Sequence, residues 1–305
     1  MDIKSFFRQD GEVVTSRQNP FVKELCSLSE KKYRERLGLF RFDGLKLFEE
    51  AILSDVPFTA IAVRESALPF VEKRIAESFG NRLKGRTLPR ECRVRILSDG
   101  VFDKISEEKS PEGMICVAKA LDKIHKMTTI NNIPENLSTL GDGKRSPKLL
   151  FLSEVRDPGN VGTVLRTAAA FGIDCVLLSK DCADLYFPRT LRAAMGAIFR
   201  LPTLRIDGRA EDAVRALCGM GRSVYATALD ASARPLGSFD VKTTDVFVVG
   251  NEGHGLSDEL IKAATGSVYI PMTPGSESLN AAIAATVCMW ELRGGESPAD
   301  RDGEC

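Results

Sequence analysis

Three short segments of this chain gather residue types that could bind anions and polar ligands. The first is Asp157-Pro158-Gly159-Asn160-Val161-Gly162, followed by Arg166. Backbone amides at the start of a helix can hold an anion, and a nearby guanidinium can grip a phosphate. Asn160 and Arg166 are six residues apart, less than two helical turns, so they share the beginning of one helix. The second segment is Gly250-Asn251-Glu252-Gly253-His254-Gly255-Leu256, three glycines just beyond an apolar run. Glycines there let a backbone approach a ligand closely. Their order is neither the dinucleotide fingerprint nor a phosphate loop. Glu252 has no local partner, and His254 reads as a solvent-facing residue rather than a catalyst. The third runs from Ile270-Pro271-Met272 through Pro274-Gly275 to Ser278-Leu279-Asn280, where Ser278 or Asn280 could cap the alanine-rich helix that follows. A fourth, Thr227-Ala228-Leu229-Asp230, closes another strand and could line a pocket for a flat ring through backbone groups.

The elements that must position these loops follow from periodicity. In the C-terminal half, strands are predicted at Leu149-Leu152, Cys175-Leu178, Ser223-Thr227, Val246-Val249 and Val268-Ile270. Helices are predicted over Val161 to Phe171, Arg209 to Leu217, Ser257 to Ala264 and Asn280 to Leu292. The alternation predicts an α/β fold with a parallel sheet flanked by helices, and ligands of such sheets bind beyond the carboxyl ends of strands. The N-terminal half predicts strands at Leu39-Phe42, Ala60-Val63, Val94-Leu97 and Met114-Ala118, with helices over Leu45 to Leu53 and Leu68 to Phe79. It reads as a smaller α/β domain. Between them, Leu121 to Pro147 lacks a sustained apolar period and carries Asn131-Asn132, Pro134 and Gly141-Asp142-Gly143, which predicts a linker or insertion. The expected division is residues 1–120, 121–147 and 148–305.

Composition narrows the classes. Of 305 residues, 43% are apolar and 28% charged, which predicts a globular protein with room for two cores. No apolar stretch is long enough to span a membrane, and Met1 to Phe7 lacks a signal-peptide core, so a cytoplasmic location is expected. The eight cysteines are irregularly spaced without a C-x-x-C pair, and only two histidines exist. That predicts reduced thiols and no metal site, and it argues against a histidine-centred hydrolase. The net charge is zero, yet the basic residues cluster: Lys31, Lys32, Arg34 and Arg36 in one group, and Arg82, Lys84, Arg86, Arg90, Arg93 and Arg95 in a second. Such clusters either meet phosphates or form a solvated helix face or loop.

Taken in order, the segments resemble the three motifs of the SpoU (TrmH) RNA methyltransferases of the SPOUT superfamily. The first matches at Asn160, Gly162 and Arg166, the second at Gly250 to Leu256, and the third at Ile270-Pro271-Met272 and Ser278-Leu279-Asn280. The match covers roughly Leu149 to Arg293. The N-terminal half is similar to the family's accessory RNA-binding domain, which is ribosomal-protein-like, at Asn19 to Lys23, Lys31-Lys32-Tyr33-Arg34, Gly44 and Ser110-Pro111-Glu112-Gly113. Asp43 stands where relatives often carry glutamate, and Ala194 where they often carry serine.

The resemblance implies a deep trefoil knot, S-adenosylmethionine as methyl donor, a ribose 2′-hydroxyl in structured RNA as acceptor, with ribosomal RNA favoured, and a homodimer. It assigns the donor to Thr227, Ala228, Leu229, Gly250, Asn251, Gly253, Ile270, Met272, Ser278 and Leu279. It assigns catalysis to Asn160, Arg166, Glu252, Ser278 and Asn280. RNA contacts fall to Lys31, Lys32, Arg34 and Arg166. A guanidinium normally stays protonated, so the expected role of Arg166 is to hold phosphate and oxygen. Methylation of transfer RNA or of a base, a non-catalytic RNA-binding assembly protein, and an unrelated nucleotide-binding enzyme are the alternative readings.

Overall fold

The computed structural model describes residues 12–87, 89, 91–106, 111–140, 145–273 and 278–292. The expectations at Met1 to Phe7, Arg90, Ser110, Gly141 to Gly143, Pro274 to Glu277, Arg293 and Cys305 lie outside the described residues. Two compact units form: one from residues 1–121 with 184–200, the other from 122–183 with 201–305.

The first unit is built on a four-stranded sheet of β1 (Leu39–Asp43), β2 (Phe58–Arg64), β3 (Arg93–Leu97) and β4 (Met114–Lys119), in the order β1-β4-β2-β3. β4 runs antiparallel to both β1 and β2, and β3 is parallel to β2. Helices Pro20–Ser27 and Asp99–Ile105 cover one face, where Leu25 and Phe102 pack on Ala60, Ala62, Ile115 and Val117. Neither was anticipated from periodicity, and the first carries its own mark. Its signal is local: Pro20 opens the helix, and Asn19 Oδ1 accepts from the Phe21 amide at 2.9 Å. A second cluster is aromatic. The Phe42 ring lies 5.3 Å from that of Phe199, and Phe40 stacks on Tyr186 at 4.4 Å. Phe199 and Tyr186 come from residues 184–200, whose only regular element of length is the helix Pro188–Ala194.

The second unit holds an eight-stranded sheet in the order β10-β12-β9-β11-β6-β7-β8-β5, every pair of it parallel. Its strands are β5 (His125–Thr129), β6 (Leu149–Leu152), β7 (Cys175–Leu178), β8 (Thr203–Asp207), β9 (Val224–Thr227), β10 (Arg234–Pro235), β11 (Val246–Val249) and β12 (Gly266–Tyr269). β6, β7 and β11 are buried along their whole length, as parallel strands covered on both faces must be. Their continuous apolar runs made them visible in sequence. β5 lies inside the stretch expected to be linker, together with helix Ile133–Ser138. As the edge strand it buries only Thr128, so its sequence carries no apolar alternation.

The cysteines of the described residues are all free thiols. Burial pushes the thiols of Cys92 and Cys288 up to about 12. No described helix is long and apolar enough to cross a membrane.

Candidate active site

The carboxyl ends of β6, β9, β11 and β12 lead into the loops of interest. After β6 the chain turns sharply, and Glu154 takes the left-handed conformation at φ 56°. Asp157 then caps helix Pro158–Ala170, accepting from the Asn160 amide at 2.9 Å. The helix begins three residues before the position expected from its apolar stripe, because the aspartate and the following proline fix its start. This places Asn160 in the first turn.

After β11 the loop closes on itself. Asn251 and Gly255 exchange backbone hydrogen bonds of 3.1 Å in each direction. The backbones approach so closely that a Cβ on Gly250 would stand 2.6 Å from the Gly255 carbonyl carbon. Only glycine fits there. Asn251 Oδ1 accepts from the Gly253 amide at 2.8 Å, and its Nδ2 donates to the Glu154 carbonyl at 2.8 Å. Glu252 is carried at the tip of this loop toward the start of helix Pro158–Ala170.

There the three segments meet. Asn160 Nδ2 donates to Glu252 Oε1 at 2.8 Å, and Asn280 Nδ2 donates to Asn160 Oδ1 at 2.9 Å. The amides of Arg156 and Asp157 point at the same carboxylate from 3.4 Å, where the positive end of the helix favours a negative charge. Asn280 also caps helix Ala281–Leu292, its Oδ1 accepting from the Ala282 amide at 2.9 Å. Both ends of the Asn160 amide are thereby engaged. It ties loop to loop.

Beside this junction lies a cavity of about 550 Å³. All ten residues expected to hold the donor line it: Thr227, Ala228, Leu229, Gly250, Asn251, Gly253, Ile270, Met272, Ser278 and Leu279. Glu252 lines it as well, whereas Asn160, Arg166 and Asn280 do not. Thr227 is held by a 2.9 Å hydrogen bond from its Oγ1 to the Val248 carbonyl. Leu256, the last residue of the second motif, adds apolar wall, and so do Ile261, Val268 and Tyr269, which sequence reasoning missed; adjacency to the motifs was the available signal. The floor is strand ends and glycine backbone, which suits a flat heteroaromatic ring bound through main-chain groups.

Arg166 is exposed on helix Pro158–Ala170, outside the cavity. His254 lines the rim, with Nε2 3.7 Å from Glu154 Oε2. The Glu154 carboxylate also receives Arg156 at 2.7 Å. Nothing in its sequence neighbourhood marked Glu154.

The basic residues expected to meet RNA divide. Lys31 and Lys32 are exposed, Lys31 with Glu35 at 3.6 Å. Arg34 is buried: its guanidinium donates to the carbonyls of Leu28 at 2.8 Å and Ser29 at 2.7 Å, and it pairs with Asp184. It points into the unit, where those two carbonyls and Asp184 hold it, although Lys31 one helical turn earlier is exposed.

Comparison with known proteins identifies the family. The SpoU rRNA Methylase family profile matches residues 147–290, and the MRM3-like substrate binding domain profile matches residues 19–116. The 23S rRNA (guanosine(2553)-2′-O)-methyltransferase RlmP of Bacillus subtilis is 31% identical over 92% of this chain and 99% of its own.

This chain belongs to the SpoU rRNA methylase family.

A further member, the 23S rRNA (uridine(2479)-2′-O)-methyltransferase of Streptomyces viridochromogenes, is 33% identical over 91% of this chain and 90% of its own. Among solved structures, the AdoMet-bound rRNA methyltransferase of Sinorhizobium meliloti superimposes with a TM-score of 0.72, at 29% identity over 92% of this chain and 97% of that one. As a SpoU-family protein the chain is an RNA 2′-O-methyltransferase that uses S-adenosylmethionine. The α/β fold with its large parallel sheet is the fold of those structures.

Proposed function

We propose that this chain methylates a ribose 2′-hydroxyl in large-subunit ribosomal RNA, acting as a homodimer in the cytoplasm. The observation that carries the proposal is the Asn280–Asn160–Glu252 chain of hydrogen bonds beside the 550 Å³ cavity. It holds three distant loops in one place, and such rigid positioning is what a methyl transfer requires. Bound in that cavity, S-adenosylmethionine supplies a methyl group on a positively charged sulfur. Gly250 admits the donor close to the backbone. Leu229, Ile270 and Leu279 exclude water around it. Glu252 and Ser278 stand at the border of the cavity, where they orient the acceptor hydroxyl. Arg166, exposed outside the cavity, grips the phosphate beside the reacting ribose and stabilises the oxygen as its proton passes by way of that phosphate to water.

Ribosomal over transfer RNA is supported by the 23S rRNA activities of the relatives matched over nearly their whole length. The dimer is supported by an apolar stripe on helix Ala281–Leu292, where Ile283 is 50% and Trp290 52% exposed, seven residues apart on one face. The knotted threading implied by the family resemblance is supported by the strand order β12-β9-β11-β6, which returns late strands to the middle of the sheet. Free thiols support the cytoplasm.

The test is transfer of label from S-adenosylmethionine to unmodified transcripts of large-subunit ribosomal RNA and of transfer RNA. Label confined to the ribosomal transcript is the expected result. Label confined to transfer RNA overturns the substrate assignment, and sedimentation as a monomer overturns the dimer.

A further inference from the structure

Residues 184–200 lie between β7 and β8 of the catalytic half, yet they fold as part of the first unit. The profile of the substrate binding domain stops at residue 116 and does not include them. Their inner side is anchored firmly. Asp184 pairs with the buried Arg34, Tyr186 stacks on Phe40, and Phe199 packs on Phe42. Gly196 takes φ 87° against Glu50, where a Cβ would stand 2.5 Å from the Glu50 side chain. Arg200 reaches the same carboxylate at 3.1 Å.

The outer side is of a different character. In helix Pro188–Ala194 the buried residues are Pro188, Thr190, Leu191 and Ala194. Arg189 and Arg192, three apart, therefore share the opposite face. Phe187 precedes the helix and is 39% exposed. On the inner side, Asp184 pairs with Arg34 of the neighbouring helix. Through this pair the segment adjoins helix Lys31–Leu37, where Lys32 and Arg36 flank the Tyr33 ring, the Arg36 guanidinium 4.6 Å from its centre. An exposed ring, Phe187, and a half-buried one, Tyr33, beside cations are the elements of a surface for unpaired RNA, with bases stacking on rings and phosphates meeting the cations.

We infer that residues 184–200 complete the RNA-contacting surface of the substrate-binding unit, with Phe187 stacking on an unpaired base and Arg189 and Arg192 taking the flanking phosphates. The inference rests on the reading of the chain as an RNA methyltransferase. One continuous stretch thereby belongs by sequence to the catalytic half and by structure to substrate recognition. The buried Arg34 is its tether rather than an RNA contact.

The experiment uses the full chain and an unmodified large-subunit ribosomal RNA transcript, with affinity followed from about 50 to 200 mM salt. Arg189→Ala with Arg192→Ala lowers the slope of log affinity against log salt by about 1.4, the value for two phosphates of a single strand. Phe187→Ala weakens binding about 5- to 150-fold with the slope unchanged. In turnover, both raise KM for RNA and leave kcat at saturating RNA and the affinity for S-adenosylmethionine unchanged. Arg189→Lys with Arg192→Lys restores the slope. Unchanged affinity and slope in the alanine variants overturn the inference, as does a slope lowered equally by the lysine pair. If the unaltered chain bound the transcript but transferred no methyl group, the proposed function would fail, while the affinity and salt slope would still decide this surface.

Discussion

Asn160 and Glu252, 92 residues apart in the chain, meet through a 2.8 Å hydrogen bond from the amide nitrogen to the carboxylate. The oxygen of the same amide accepts from Asn280 at 2.9 Å. Only a side chain offering a donor and an acceptor at once can bridge this carboxylate and this amide.

Asn160→Asp is therefore expected to be worse than Asn160→Ala. The aspartate sets one carboxylate against another, whereas the alanine only removes the bridge. Turnover falls about 10- to 100-fold in the alanine variant as the loops lose their register, and further in the aspartate variant. Stability falls by about 1 kcal/mol in the alanine variant. Rates under saturating donor and RNA, with thermal melts alongside, read both effects.

Arg166→Ala is expected to remove turnover while leaving donor binding intact, because Arg166 lies outside the donor cavity. A loss of about 100- to 1,000-fold in kcat is the scale for one stabilising donor of a developing charge. Calorimetry with S-adenosylmethionine and single-turnover rates measure the two parts separately. A variant that binds the donor weakly but turns over normally at saturation would refute the assignment.

Gly250→Ala tests the tightness of the donor loop. The added carbon meets the Gly255 carbonyl carbon at 2.6 Å and its oxygen at 2.7 Å, both backbone atoms that a rotamer change cannot move aside. The loop must open, and affinity for S-adenosylmethionine falls by about tenfold or more, the scale of a 1.4 kcal/mol loss. The same calorimetric titration checks it.

Much of this site was legible because its residues obey local rules. Asp157 and Asn280 are helix caps, Gly250 is a close approach of backbones, and β6 and β11 are unbroken apolar runs. Other parts depend on tertiary partners that leave no local mark. Arg34 looked like its exposed neighbours Lys31 and Lys32, and the partner that balances its buried charge, Asp184, lies 150 residues away. β5 escaped because an edge strand needs little apolar surface. Glu154 escaped because no pattern announces a left-handed glutamate.

A pH dependence of stability is expected from Glu50, which is 8% exposed. Burial alone would push its carboxyl up, but the hydrogen bonds and charges of Arg82 and Lys46 outweigh burial and hold it below its ordinary 4.5. A carboxyl depressed in the folded state contributes stability that is fully present above the unfolded value and lost as pH falls through the folded one. Glu50→Gln therefore costs about 1–3 kcal/mol at pH 7, and the difference from the unaltered chain narrows below pH 4.5. Denaturant titrations at neutral pH and at successively lower pH give both numbers.

The most direct measurement is alkaline hydrolysis of ribosomal RNA after incubation with this chain and labelled S-adenosylmethionine. A methyl group on the 2′-oxygen removes the nucleophile that cleaves the adjoining phosphodiester. The account predicts label in one alkali-resistant dinucleotide, absent with Arg166→Ala. Label released entirely in mononucleotides would place the methyl group on a base and contradict it.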